Sequence, residues 1–169
     1  MEKEEMRCES CGVQMKSGRE NYLYTECGLD SVTLMNVEVR RCPECGEYEV
    51  DIPRIDELHR LIAQEVASKK ARLTPKEVRA LRKYLGFSGT DFAAVLDVTP
   101  ETVSRWETGK KQMSPVAERA LRLMVFVRDP IAEYPLEKLA EVAQGEAIPL
   151  RMMLRDSRAH WKAEAAAAA

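Results

Sequence analysis

The sequence predicts an α+β protein of two domains: a small β-rich module built on four cysteines, then an all-α bundle with a helical C-terminal extension. Three observations carry this reading. Two C-x-x-C pairs, Cys8/Cys11 and Cys42/Cys45, bracket a segment rich in β-branched and aromatic residues. Three Ser/Thr-Pro pairs, Thr74-Pro75, Thr99-Pro100 and Ser114-Pro115, each open a stretch of helical apolar periodicity. Charge follows the same divisions: −5 over residues 1–50, balanced over 51–70, +5 over 71–128 and −2 over 129–169. The expected units are therefore a cysteine module at 1–52, a helical linker at 53–70, a helical bundle at 71–128 and a helical extension at 129–169.

Within the first unit, YLYTE (22–26) and SVTLMNVEVRR (31–41) read as strands around a CGLD turn, with Val32, Leu34, Val37 and Val39 lining one or both faces. Pro53 marks its end. Ile55, Leu58, Leu61, Ile62 and Val66 then recur at helical spacing, a stripe that needs either a neighbouring domain or a second copy of the chain to cover it.

Four helices follow. TPKEVRALRKYLG (74–86) has Thr74 as N-cap, Glu77 three residues on and Gly86 as its stop, with Val78, Leu81 and Leu85 inward. SGTDFAAVLD (88–97) buries Phe92, Val95 and Leu96. VTPETVSRWETG (98–109) buries Val103 and Trp106 and stops at Gly109. SPVAERALRLMVFVRD (114–129) offers Val116, Ala120, Leu123, Met124 and Val127 inward. In the extension, LEKLAEVA (136–143) and LRMMLRDSRAHW (150–161) read as helices, the latter with Leu150, Met153, Leu154 and Trp161 on one side. Ala165 to Ala169 is a chain end without pattern.

No apolar run approaches the ~20 residues that span a bilayer. The opening MEKEEMR is acidic and has no secretory character. A cytoplasmic location is expected, and there paired cysteines hold metal more often than they form disulfides. Each C-x-x-C is followed by glycine, which admits the left-handed turn of a metal knuckle. Two such knuckles supply four thiolates for one tetrahedral Zn²⁺ through Cys8, Cys11, Cys42 and Cys45. Four sulfurs close the coordination sphere, so the ion is expected to be structural. The bland alternative is two thiol pairs without metal. Cys27 has no partner cysteine nearby and reads as a spare, partly buried thiol. His59 and His160 read as solvated helix residues.

The helices at 88–97 and 99–109 have the lengths and the turn of a helix-turn-helix. Ala93 is the small residue that lets them approach, and Val98 is the buried turn residue. Pro100, Glu101, Thr102 and Arg105 then face outward near the start of the second helix, where base edges are met. Arg105 suits guanine O6 and N7, and Glu101 suits a cytosine amine. Glu101 must also find a neutralising partner, either a donor base or Arg105 four residues on. Thr99, Thr108, Lys110 and Lys111 sit at the helix ends, where phosphates are expected. The competing reading is a bundle whose charged face is only solvated.

Residues 71–128 resemble the Cro/phage-repressor helix-turn-helix family, with SRWETGK as its usual recognition-helix exit. A cysteine module followed by such a domain resembles the MqsA-type antitoxins and their YgiT-type zinc-finger relatives, over roughly residues 6 to 128. The resemblance implies a zinc-held N-terminal module that neutralises a small ribonuclease toxin. It also implies a C-terminal domain that dimerises and binds a palindrome before its own operon. The family's recognition arginine maps onto Arg105. Its base-reading asparagine falls at Glu101, and a common phosphate-contacting glutamine falls at Gly89, beside Thr90.

Two functions follow as expectations. One is a DNA-binding repressor acting as the antitoxin of a type II toxin–antitoxin pair, a homodimer on palindromic double-stranded DNA with a small basic toxin as partner. The other is a stand-alone zinc-containing regulator without a toxin. The acidic first module favours the former and the long tail the latter. An enzyme is not expected, since a closed thiolate site offers no Lewis-acid position and no nucleophile–base set is visible.

Overall fold

In the computed structural model, which describes residues 6–128, 144–157 and 160–164, a five-stranded sheet is covered on one face by helices. The sheet begins with β1 (Lys16–Leu23), β2 (Val32–Arg41) and β3 (Tyr48–Asp51), with β1 and β3 each antiparallel to β2. Strand β1 starts earlier than the sequence pattern predicts, because its residues are mostly exposed and carry little apolar signal. The long central strand β2 is where the sequence places it. Asn36 has φ 54° and bulges β2 against β1, which turns Val32, Leu34, Val37 and Val39 all inward despite their broken alternation.

Helix α1 (Ile55–Ser68) follows, then β4 (Ala71–Arg72), α2 (Pro75–Tyr84), α3 (Gly89–Val95), α4 (Pro100–Glu107) and α5 (Pro115–Arg128). The caps lie where the sequence puts them. Thr74 and Glu77 form a reciprocal capping box, Thr99 accepts from the Thr102 amide, and Ser114 accepts from the Ala117 amide. Of the apolar stripe of α1, Leu58, Ile62 and Val66 are buried against α2, α5 and the sheet and Leu61 is half-buried, while Ile55 at the helix start is 45% exposed. The buried residues of sheet and helices form one continuous cluster.

Two expectations are overturned over whole segments and two at single residues. Val95 is 50% exposed because Phe92 and Ala93 take the inward face of α3. His59 is half-buried because its Nε2 meets the Tyr24 hydroxyl at 2.6 Å. The first of the segments is the helical extension. Residues 129–143, 158–159 and 165–169, and with them the expected helix at 136–143, lie outside the described residues, but the described part of the tail holds strands and no helix: β5 (Gln144–Ala147), β6 (Met152–Asp156) and β7 (Trp161–Glu164). β5 pairs with β4. β6 runs parallel to β2 from Val32↔Met152 to Met35↔Arg155, and β7 returns antiparallel beside it. The reason is an open edge. β3 pairs only with residues 38–41 of β2, leaving the amides and carbonyls of 32–35 for another strand. Met152, Leu154 and Trp161 are buried on this face, and the Trp161 indole donates to the Pro53 carbonyl at 2.9 Å.

The second is the inner face of α5. Val116, Leu123 and Val127 point outward, at 76%, 40% and 71% exposure, while Glu118, Leu121, Arg122, Val125 and Phe126 are buried. The carbonyls of Ala67, Lys69 and Ala71, where α1 ends and β4 begins, need donors. The Arg122 guanidinium supplies them at 2.9, 2.5 and 2.7 Å, and Glu118 balances it at 2.7 Å. Glu118 also takes Arg72 at 2.7 Å and the Leu73 amide at 2.9 Å. Polar residues therefore hold the face that an apolar count assigns to valines.

Candidate metal centre and candidate nucleic-acid interface

The two cysteine loops repeat one backbone pattern. The Cys8 amide donates to the Val13 carbonyl and the Gly12 amide to the Cys8 carbonyl, at 2.9 and 2.8 Å. In the second loop the Cys42 amide donates to Glu47 and the Gly46 amide to Cys42, at 2.8 and 3.2 Å. Gly12 and Gly46 sit at φ 73° and 75°, a region costly for any residue with a Cβ. Each turn presents one buried thiol, Cys8 or Cys42, and one exposed thiol, Cys11 or Cys45.

The loops face each other, so the sulfurs meet across them: Cys8 to Cys45 at 3.5 Å, Cys11 to Cys42 at 3.3 Å and Cys11 to Cys45 at 3.6 Å. All four lie within 4.8 Å of one another. A tetrahedron of sulfurs ~2.3 Å from a central ion has edges of about 3.8 Å, a size that these separations bracket. The Cys45 backbone amide, with that of Glu44 behind it, holds the Cys42 thiol down at about 6, favouring the thiolate that binds metal. The four cysteines thus form a candidate metal centre whose donors and spacing fit zinc. The spare thiol, Cys27, is half-buried, and burial pushes it up.

Helix α4 is anchored by Val103 and Trp106, both buried, and Ala93 of α3 is buried against the turn that joins the two helices. The turn closes through the Val98 amide on the Ala93 carbonyl at 2.9 Å, with Asp97 at φ 51°. Arg82 grips Glu107 through two nitrogens, at 2.5 and 3.1 Å, fixing the end of α4 to α2. No local sequence pattern signals this contact, since the partners lie 25 residues apart.

The expected contact residues are presented together. Thr99, Pro100, Glu101, Arg105, Thr108, Lys110 and Lys111 are exposed and Thr102 half-buried. Pro100, Glu101, Arg105, Thr108 and Lys110 line one shallow concavity with Ser104, a residue the sequence reading passed over. Its place four residues after Pro100 and before Thr108 is the signal that marks it.

Glu101 does not use Arg105 as its main partner. Its own backbone amide, and then the Thr99 hydroxyl, hold its carboxyl below the ordinary range, with the Arg105 charge a smaller contribution. Among the described residues, Arg105, Lys110 and Lys111 make no ion pair. Gly109, at φ 75°, lets the chain leave α4 sharply, and a Cβ there would meet Pro75 Cγ at 3.3 Å.

Compared with known protein families, residues 6–131 match the antitoxin component of bacterial toxin–antitoxin systems, MqsA. The chain belongs to the MqsA antitoxin family. The match takes in the cysteine loops, the first three strands and the five helices of the described residues of this MqsA-family chain, and it stops before the strands that close the β2 edge. No curated protein matches the sequence. Membership implies a toxin partner and suggests a regulator that is not an enzyme. Among the described residues no helix is long and apolar enough to cross a membrane.

Proposed function

We propose that this chain is a cytoplasmic antitoxin that neutralises a small basic toxin through its cysteine module and represses its own operon through α3 and α4. The family match over residues 6–131 carries this reading. One structural Zn²⁺ per chain joins Cys8, Cys11, Cys42 and Cys45. Their closed thiolate set leaves no position for catalysis, so the ion's contribution is to hold the two loops together. The −5 charge of residues 1–50 complements a cationic, RNA-cleaving partner and speeds its capture.

In the helical body, α3 and α4 act as a helix-turn-helix. Pro100, Glu101, Thr102 and Arg105 meet base edges, Arg105 as a bidentate donor to guanine. Thr99, Thr108, Lys110 and Lys111 meet phosphates, and Ser104 lies between the two sets. Glu101 is tolerable on this face because its charge is already stabilised by its own amide and Thr99. A homodimer sets two such helices ~34 Å apart on a palindrome.

A second reading, a stand-alone regulator, draws support from β6 and β7, which lie beyond the family match and occupy the β2 edge. Gentle purification of the full chain from its source cells, followed by mass spectrometry, separates the two. The antitoxin reading expects a small basic protein in near-stoichiometric amount that arrests growth when expressed alone. Recovery of the dimer only, with or without DNA, overturns it in favour of the regulator.

A further inference from the structure

Away from the sulfurs and from α4, a cavity of about 220 Å³ opens between the turn after β1 and helices α1 and α2. Its walls are buried and apolar: Leu29 from the turn, Ile62, Ala63 and Val66 from α1, and Leu81 from α2. The polar lining residues, Glu26, Cys27, His59 and Lys83, are exposed or half-buried and so mark the mouth.

Most of these groups are already engaged. Glu26 accepts from the Tyr22 hydroxyl at 2.5 Å, and His59 Nε2 lies 2.6 Å from the Tyr24 hydroxyl. Cys27 Sγ lies 3.5 Å from the Tyr24 carbonyl oxygen. The Lys83 ammonium makes no ion pair among the described residues. Beyond the mouth a groove continues along α2, lined by Lys76, Arg79, Lys83 and Glu107. Glu26 lines this groove too, Lys76 is paired with Asp30 at 2.6 Å, and Glu107 is held by Arg82 with Arg79 3.9 Å away, so Lys83 is the lining cation left without an ion pair among the described residues. An apolar chamber whose mouth offers the Lys83 ammonium, while the Glu26 carboxylate is already bonded to Tyr22, is complementary to one kind of small molecule.

We infer that this cavity binds a small anionic amphiphile, a carboxylate on a hydrocarbon or aryl body of about six to eight carbons, since dry cavities of ~150 Å³ already take benzene. The body lies against Ile62, Ala63, Val66 and Leu81, and the carboxylate meets Lys83. The site shares no lining residue with the four sulfurs or with the proposed DNA surface on α4. Its walls join the turn after β1 to α2, the helix that holds α4 through Arg82.

The test is titration of the full chain with hexanoate, phenylacetate and hexan-1-ol, followed by ¹H–¹⁵N amide shifts. Saturable shifts are expected at residues 27–29, 59–66 and 80–84 with at least one acid, and comparing the two acids tells a linear occupant from an aryl one. Hexan-1-ol should bind about tenfold more weakly than hexanoate, the loss of one charge-assisted contact. Lys83→Met should bring hexanoate down to the alcohol's affinity, and Ala80→Leu should fill the chamber and abolish both. Lys83 is exposed, so its variant keeps the fold and decides the matter even where Ala80→Leu disturbs it. No saturation with either acid by about 10 mM, equal binding of alcohol and acid, or unchanged binding in Lys83→Met each overturns the inference.

Discussion

Around the cysteine loops the buried apolar side chains are few: Cys8, Cys42 and Met15, with Val13 packed beside them. The helical body buries Phe92, Leu81, Val103, Trp106, Leu121 and Val125, and closes over a charged network of Arg72, Glu118 and Arg122. A fully buried side chain of this size contributes ~1.5–3 kcal/mol relative to exposure, so the helices hold themselves by burial. The loops have too little burial for that. Their backbones carry positive-φ glycines and point four thiols at one place, an arrangement suited to draw its cohesion from the proposed ion. Two neighbouring parts of one chain thus rest on different physics, and each should fail to a different insult.

The largest effect should come from the metal. Chelation, or Cys42→Ser, is expected to abolish amide-exchange protection in the two cysteine loops while α2 to α5 stay protected. Hydrogen exchange read by mass spectrometry checks this, and simultaneous loss in the helices would merge the two regions into one unit. Next comes the buried network. Glu118→Gln leaves two guanidiniums without their counter-charge and should cost about 3–5 kcal/mol in chemical denaturation. It should leave metal content unchanged, and a loss below 1 kcal/mol would show that the network is dispensable.

Smaller effects concern the surface of α4 and rest on the proposed DNA reading. Arg105→Ala should weaken operator binding by ~1–3 kcal/mol and relax preference at one base position. Unchanged affinity and preference would remove Arg105 from the recognition surface. Lys110→Ala should do least, weakening all sequences alike and lowering the salt slope by about one. A salt titration of binding checks it. All three helical variants should leave the cysteine loops intact, which is what keeps the comparison sharp.

What the sequence reveals, it reveals where the cause is local. Thr74 with Glu77, Thr99 before Pro100 and Ser114 before Pro115 are caps whose partners lie within three residues, and all sit at observed helix starts. The cysteine loops are legible for the same reason, since spacing and glycine define each turn alone. The misread segments have distant partners. Arg122 turns inward because of carbonyls more than fifty residues earlier, at Ala67 and Lys69, and Glu118 because of Arg72 and the Leu73 amide. Met152 and Leu154 extend because Val32 and Leu34 leave an edge open. Of the proposed recognition face, the exposed residues were readable from helical spacing. The stabilisation of Glu101 by Thr99 was less so, because the i,i+4 rule points to Arg105 instead.

The β2–β6 pairing also has a consequence in time. Ser31 donates to the Leu150 carbonyl across 119 residues of chain, beside the parallel ladder of Val32 and Met152. On the ribosome, the first strands and both cysteine loops emerge long before the segment that completes their sheet. Contacts so distant in sequence form slowly, and an unpaired edge invites other strands meanwhile. A newborn chain therefore passes through a stage in which its cysteine loops are complete and its β2 edge is still bare. Maturation ends only when the last strands arrive to cover it.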